Sequence, residues 1–138
     1  MSYGASFALQ EAVFAALTGS ATLAALVGSR IYDAAPHGDA PDATAGVFVT
    51  LGEERVSNWS AQGLSGAVHD FEVTVHGSDE GFAAAKVAAE AASAAVLGPL
   101  PALSQGRVVT ADFRGARARR ERTGGRAIEL RFRFRVEA

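Results

Sequence analysis

The 138-residue chain has no cysteine, which excludes disulfides, thiolate nucleophiles and cysteine-ligated metals. Its fold must therefore stand on packing and hydrogen bonds. It has no run of about 18 apolar residues, the length a membrane-spanning helix needs. The start, Met1-Ser2-Tyr3-Gly4, lacks the basic residues and continuous apolar stretch of a signal peptide, so a bacterial cytoplasmic protein is expected. Lysine is nearly missing: Lys86 stands against twelve arginines, the mark of a GC-rich coding sequence more than of a mechanism. No Gly-x-Ser-x-Gly elbow, phosphate loop or Rossmann glycine signature is present, and each of those sites depends on a turn built from residues at fixed spacing.

The titratable groups form no reactive set either. His69 and His76 fall on one expected strand seven residues apart, so they point to opposite faces and cannot share a metal. His37 stands alone in an expected loop. Glu53 and Glu54 alternate faces on a continuing strand, which separates them as an acid and base pair. No catalytic, cofactor-binding or metal-binding residue is expected.

Charge is the first positive feature. Residues 1–106 carry three basic against eleven acidic groups, a balance of −8, and residues 107–138 carry ten arginines against four acids, a balance of +6. Such polarity steers complementary surfaces together, in neighbouring copies or in other proteins.

The hydrophobic pattern predicts one domain over residues 1–138, of a size that buries roughly two thirds of its unfolded surface. A first helix is expected over residues 6–17, with Leu9, Val13 and Leu17 four apart and Phe7 and Phe14 widening the apolar side. Ser20 caps a short second helix over residues 21–27, which Gly28 stops. A β-like stretch at residues 30–33 precedes a long loop over 34–46. A strand over 47–53 leads to a second loop over 55–66. Residues 68–76 alternate, with Phe71, Val73 and Val75 on one face.

Ser78 is expected to cap an Ala-rich helix, with Asp79 and Glu80 at its N-terminal dipole and Gly98-Pro99 at its end. Its alanines allow a close approach to a sheet. From residue 107 on, strands are expected over 108–113, after a turn near Gly115 over 116–122, and after Thr123-Gly124-Gly125 over 127–136. In the last of these, Ile128, Leu130, Phe132, Phe134 and Val136 share one face. The whole reads as α+β: a mixed, mostly antiparallel sheet with an N-terminal helix and an Ala-rich helix packed on one face.

Two segments invite a functional reading. Arg114, Arg117, Arg119, Arg120, Arg122 and Arg126 fit contact with another subunit, a solvated sheet face in which Arg131, Arg133 and Arg135 pair with acids such as Asp70 and Glu72 across neighbouring strands, or nucleic-acid phosphates. Subunit contact is preferred, since only Phe113 is near for stacking and there is no recognition helix. Trp59 and Leu64 interrupt a polar loop. They either pack on their own domain or anchor an interface.

The order of segments resembles the tail completion (tail terminator) family of long-tailed phages and gene transfer agents. The likeness is carried by Ala24-Ala25-Leu26-Val27-Gly28-Ser29-Arg30-Ile31-Tyr32-Asp33-Ala34-Ala35-Pro36, then Val47-Phe48-Val49-Thr50-Leu51-Gly52, Phe71-Glu72-Val73-Thr74-Val75-His76, the Ala-rich helix, and the Arg-rich final strands. The first loop departs from the family pattern: residues 38–46 intervene where a short step of proline plus an aromatic is usual.

The resemblance implies a structural subunit, not an enzyme, that forms a homo-oligomeric, hexameric ring. That ring would cap the tail tube at the head-tail junction and touch tail tube protein and the head-side connector or stopper. DNA would pass through it without sequence-specific binding, and neither cofactor nor membrane would be involved. The protein would sit in the cytoplasm during assembly and then in the particle. A neck stopper or adaptor ring, and a small nucleic-acid-binding module using the C-terminal arginines, are the alternative readings. On the ring reading the interface candidates are Arg114, Arg117, Arg119, Arg120, Arg122, Trp59 and Leu64.

Overall fold

A computed structural model describes residues 3–33, 46–60, 62–78, 81–122 and 124–138. Helix α1 spans Ser6–Thr18 and α2 spans Ala21–Val27, with an angle of 76° between them at the break. Ser20 caps α2 by accepting from the Leu23 amide, and Gly28 ends it at φ 60°, a conformation that costs glycine nothing. Strand β1 is Ile31–Tyr32, β2 is Phe48–Asn58 and β3 is Gly66–Gly77. Helix α3, Ala83–Leu97, leads to β4, Arg107–Arg120, and β5, Arg126–Glu137.

The strands form one sheet in the order β1-β2-β3-β5-β4. Only the short β1–β2 pair is parallel. The α+β expectation therefore holds: a mixed, mostly antiparallel sheet with helices on one face. Leu9, Val13 and Leu17 of α1, Leu23 and Val27 of α2, and the inward residues Val73, Val75, Leu130, Phe132, Phe134 and Val136 make the core. Each fully buried large side chain contributes about 1.5–3 kcal/mol.

Helix α3 presents Ala85, Ala88, Ala89, Ala91, Ala92 and Val96 to that core. A methyl added at Gly77 of β3 would lie 3.0 Å from the Ala85 Cβ, so helix and sheet meet on small residues and lie close.

Several expectations are corrected. Phe7 and Phe14 do not join the core: Phe7 is 69% exposed and Phe14 37%. The alanines Ala8 and Ala12 are buried instead, because they share the inward side of α1 with Leu9 and Val13, and Phe7 and Phe14 fall on the opposite side. Strand β2 runs on to Asn58 through the span expected to be loop, since a register shift between Leu51 and Glu54 re-phases it against β3. The N-cap of α3 is Phe82, without a side-chain cap, so Ser78 does not cap it. Residues 34–45 of the long loop expected over 34–46, His37 among them, the acids Asp79 and Glu80, and Thr123 lie outside the described residues.

The expected turn at Gly115 is absent, and β4 is one 14-residue strand. The extra residues are absorbed as register shifts between Val108 and Thr110 and between Phe113 and Gly115. Arg114 is the unpaired residue of the second bulge. From there on Arg117 stands opposite Glu129 and Ala118 opposite Ile128. The bulge thus turns Arg117 and Arg119 to the open face and Ala116 and Ala118 to the helix side.

Candidate subunit interface

The sheet face away from the helices is a lattice of charges, built because most alternate residues of β3 and β5 are polar. Register aligns Arg55, Asp70, Arg133 and Asp112 in one row across β2, β3, β5 and β4. Arg133 donates from Nε to Asp70 at 2.7 Å, and Arg135 Nη1 lies 3.6 Å from Asp112. Arg131 stands opposite Glu72, and Arg119 Nε donates to Glu129 at 2.8 Å. Between these rows lies an open trough of about 510 Å³ whose charged lining includes Glu53, Arg55, Glu72, Arg114 and Arg131.

Partial burial, with the charges of Glu129 and Glu53 nearby, raises the pKa of Glu72 above the usual carboxylate value. The bonded carboxylates of Glu129 and Asp70 raise those of Arg119 and Arg133. The expected pairing of the β5 arginines with acids is therefore seen for Arg133 with Asp70, while Arg135 takes Asp112.

The candidate arginines do not form one patch. Arg119 is held by Glu129 and, at 4.0 Å, by Glu121. Arg120 pairs in register with Arg126 on the helix side, and Arg122 is exposed in the β4–β5 turn. Arg114 and Arg117 face the open side without an ion-pair partner among the described residues. Trp59 and Leu64 are half-buried in the β2–β3 connection. Trp59 packs over Gly66, where an added methyl would meet its ring at 3.2 Å. That connection adjoins the Gly66 end of β3, whereas the arginine turn adjoins the Gly77 end, roughly 35 Å away by strand rise.

The histidines serve as structural links. His76 stacks on Phe48 at 4.5 Å and lies 3.0 Å from the Thr50 hydroxyl. Buried His69 lies 2.9 Å from Glu54 Oε2 through Nδ1, and Ser6 of α1 donates to Glu54 Oε1 at 2.5 Å. Its Nε2 is buried without a partner among the described residues. The β2 bulge turns Glu54 inward to make this link.

These three residue types also occur in hydrolases, but there the histidine stands between serine and carboxylate. Here the carboxylate is in the middle, so the serine is not activated.

Burial acts to raise the Glu54 pKa. The bonds from His69 and Ser6, together with the charge of His69, outweigh it, and the pKa is lowered below the ordinary value. A lowered carboxylate pKa gives stability that is complete above the unfolded value of 4.5 and is lost as pH falls through the folded one. Glu54→Gln is expected to cost about 1–2 kcal/mol at pH 7 and to flatten the loss of stability on acidification below pH 4.5. Denaturant titrations across that range check it. An unchanged acid slope would show that the Ser6-Glu54-His69 link does not respond to acid.

Sequence reasoning missed the exposed aromatics. Tyr3 and Phe7 are 65% and 69% exposed, and Phe113 is 48% exposed. Amphipathic spacing does not reveal them, since Phe7 and Phe14 lie beside the buried stripe in sequence.

A family model described as tail completion protein gp17 matches residues 11–137. The chain belongs to this tail completion family. It is a tail structural protein. Among solved structures, a chain of the virion of a native gene transfer agent particle is 47% identical, with a TM-score of 0.87, over 99% of this chain and 100% of that one. No curated protein matches. The tail completion fold thus comes with a charged open face, one long edge strand, β4, and no assembled reactive centre among the described residues.

Proposed function

We propose that this protein is a particle subunit that closes into a six-membered ring on the end of a tail tube, at the head-tail junction, and ends tube growth there. The observation that carries this reading is the end-to-end match, at 47% identity, to a chain of a gene transfer agent virion, joined to the family assignment. On this reading the protein works by shape and surface charge as one folded domain, with no bond-making centre. It assembles beside tail tube protein and a head-side connector, first in the bacterial cytoplasm and then in the particle.

A ring needs a heterologous contact, one patch of each copy meeting a different patch of the next. The charge split supports such a contact: Arg114, Arg117 and Arg122 have no ion-pair partner among the described residues and carry positive charge at one margin, while residues 1–106 are acidic overall. Most of the remaining open-face charges are internally paired, which disfavours a nucleic-acid module. DNA passing the ring needs no base contact, and strong phosphate binding would arrest it.

Particles made without this protein are expected to show overlong or headless tails by negative-stain imaging. Tails of normal length joined to heads would refute the role. A neck stopper is separated by copurification: tail tube protein is the expected partner, portal the contrary one.

A further inference from the structure

Two apolar features lie on different surfaces of the molecule. The first is a protruding stripe on α1. Phe7 and Phe14 are seven residues apart, two helical turns, and so share a face. Tyr3, in the turn that precedes α1, is a further aromatic at its start, and all three rings are exposed. Gln10, on one flank of the stripe, donates to Asp33 just after β1, and Glu11, on the other flank, accepts from Ser104 of the α3–β4 connection, so the stripe lies on the outer surface of α1, opposite its buried Leu9 and Val13.

The second is a recess of about 390 Å³ between α3 and the edge strand β4, floored by Ala116, Ala118, Ile128 and Leu130 and walled by Phe113. It exists because α3 reaches β4 only partly and the Arg114 bulge turns two alanines inward, leaving space where larger side chains would close the gap. Phe113 packs edge-on to Phe132 at 6.0 Å yet stays half exposed.

The two features are complementary. One is convex and aromatic, the other concave and lined by small apolar groups. Lys86 lines the recess, and Arg126 and Arg120 stand at its turn end, with Glu90 the acid in its lining. Glu11 is the one charged residue of α1, exposed and next to the stripe. A positive rim thus faces a negative flank.

We infer that adjacent copies interlock by seating the α1 aromatic stripe of one in the α3–β4 recess of the next. This rests on the ring reading. Because stripe and recess are separate surfaces of one chain, each copy can give one and receive one, which lets a chain of copies close on itself. Aromatic anchors in an apolar pocket are what carries binding energy at such contacts.

The absence of cysteine makes the test direct. Thr18→Cys, at the end of α1, and Ala116→Cys, in the recess, are both at exposed positions, and together they form the only thiols. Particles carrying the double variant are treated with a short bismaleimide and run on a denaturing gel. A ladder of covalent multimers up to the full ring is expected, with none from either single variant beyond a symmetric pair.

A ring visible by imaging whose copies remain single chains on the gel, in this pair and in Glu11→Cys with Glu90→Cys, overturns the interlock and leaves the ring reading standing. Linkage of the Ala116→Cys thiol only to a different polypeptide also overturns it, and assigns the recess to that partner. Wild-type particles with no copies side by side would end the ring reading itself. Thermal unfolding of each variant, unchanged from wild type, confirms that the surface alone was altered.

Discussion

The combination Arg114→Glu, Arg117→Gln and Arg122→Glu is expected to abolish tail completion while leaving the subunit folded. These three guanidinium groups are exposed and hold no ion pair among the described residues, so their removal breaks nothing inside the domain. Arg117 stands opposite Glu129, and a glutamate there would set like charges face to face. Neutralisation avoids that cost. Arg119 is left alone because it is bonded to Glu129, and Arg120 because it lies on the helix side.

Like-charge juxtaposition at an interface costs several kcal/mol. Each contact between subunits should therefore weaken on the order of a hundredfold or more, multiplied around a closed ring. Particle yield and imaging of tails check the assembly. A denaturant midpoint within about 0.5 kcal/mol of wild type checks the fold. Normal tails in the triple variant would show that the basic margin does not mediate the contact.

Phe132→Ala is expected to be the most damaging single substitution to the fold. Phe132 is fully buried at the centre of β5, between Phe71 on β3 and Phe113 on β4. Its truncation leaves a cavity beneath α3 that the surrounding helices cannot collapse to fill. The cost is about 3–5 kcal/mol, a large part of the roughly 5–15 kcal/mol that holds a domain of this kind. Phe113→Ala, half exposed in the recess, should cost under about 1 kcal/mol. The contrast is measured by urea unfolding of the two variants. Equal losses would mean that the rim and the centre of the core are not distinguished as described.

Much of the architecture was legible in the residues themselves. The alternation of Ile128, Leu130, Phe132, Phe134 and Val136 identified β5 and its inward face, since a period of two has one reading when half the residues are charged. Ser20 and Gly28 marked the ends of α2 through local chemistry, a hydroxyl that accepts an amide and a residue free to adopt positive φ. The alanines of α3 announced a close helix–sheet contact. The errors share one cause. Phe7 and Phe14 widen the apolar side of α1 in the sequence, yet which side of α1 faces inward depends on what packs against it. Composition predicts a break at Gly115 and a loop from Arg55, yet a bulge lets a strand continue through such residues if a partner strand holds them.

Composition, periodicity and cap residues therefore determined the α+β class, most of the elements and the absence of any thiol chemistry, because these depend on each residue and its neighbours within a few positions. Only the tertiary structure decided the faces of β4, the division of the arginines between two sides, the Ser6-Glu54-His69 link and the exposed aromatic stripe. Each of those depends on strand register, where a shift of one residue moves every following side chain to the other face, or on which surfaces a helix happens to cover. Neither is encoded within a single segment.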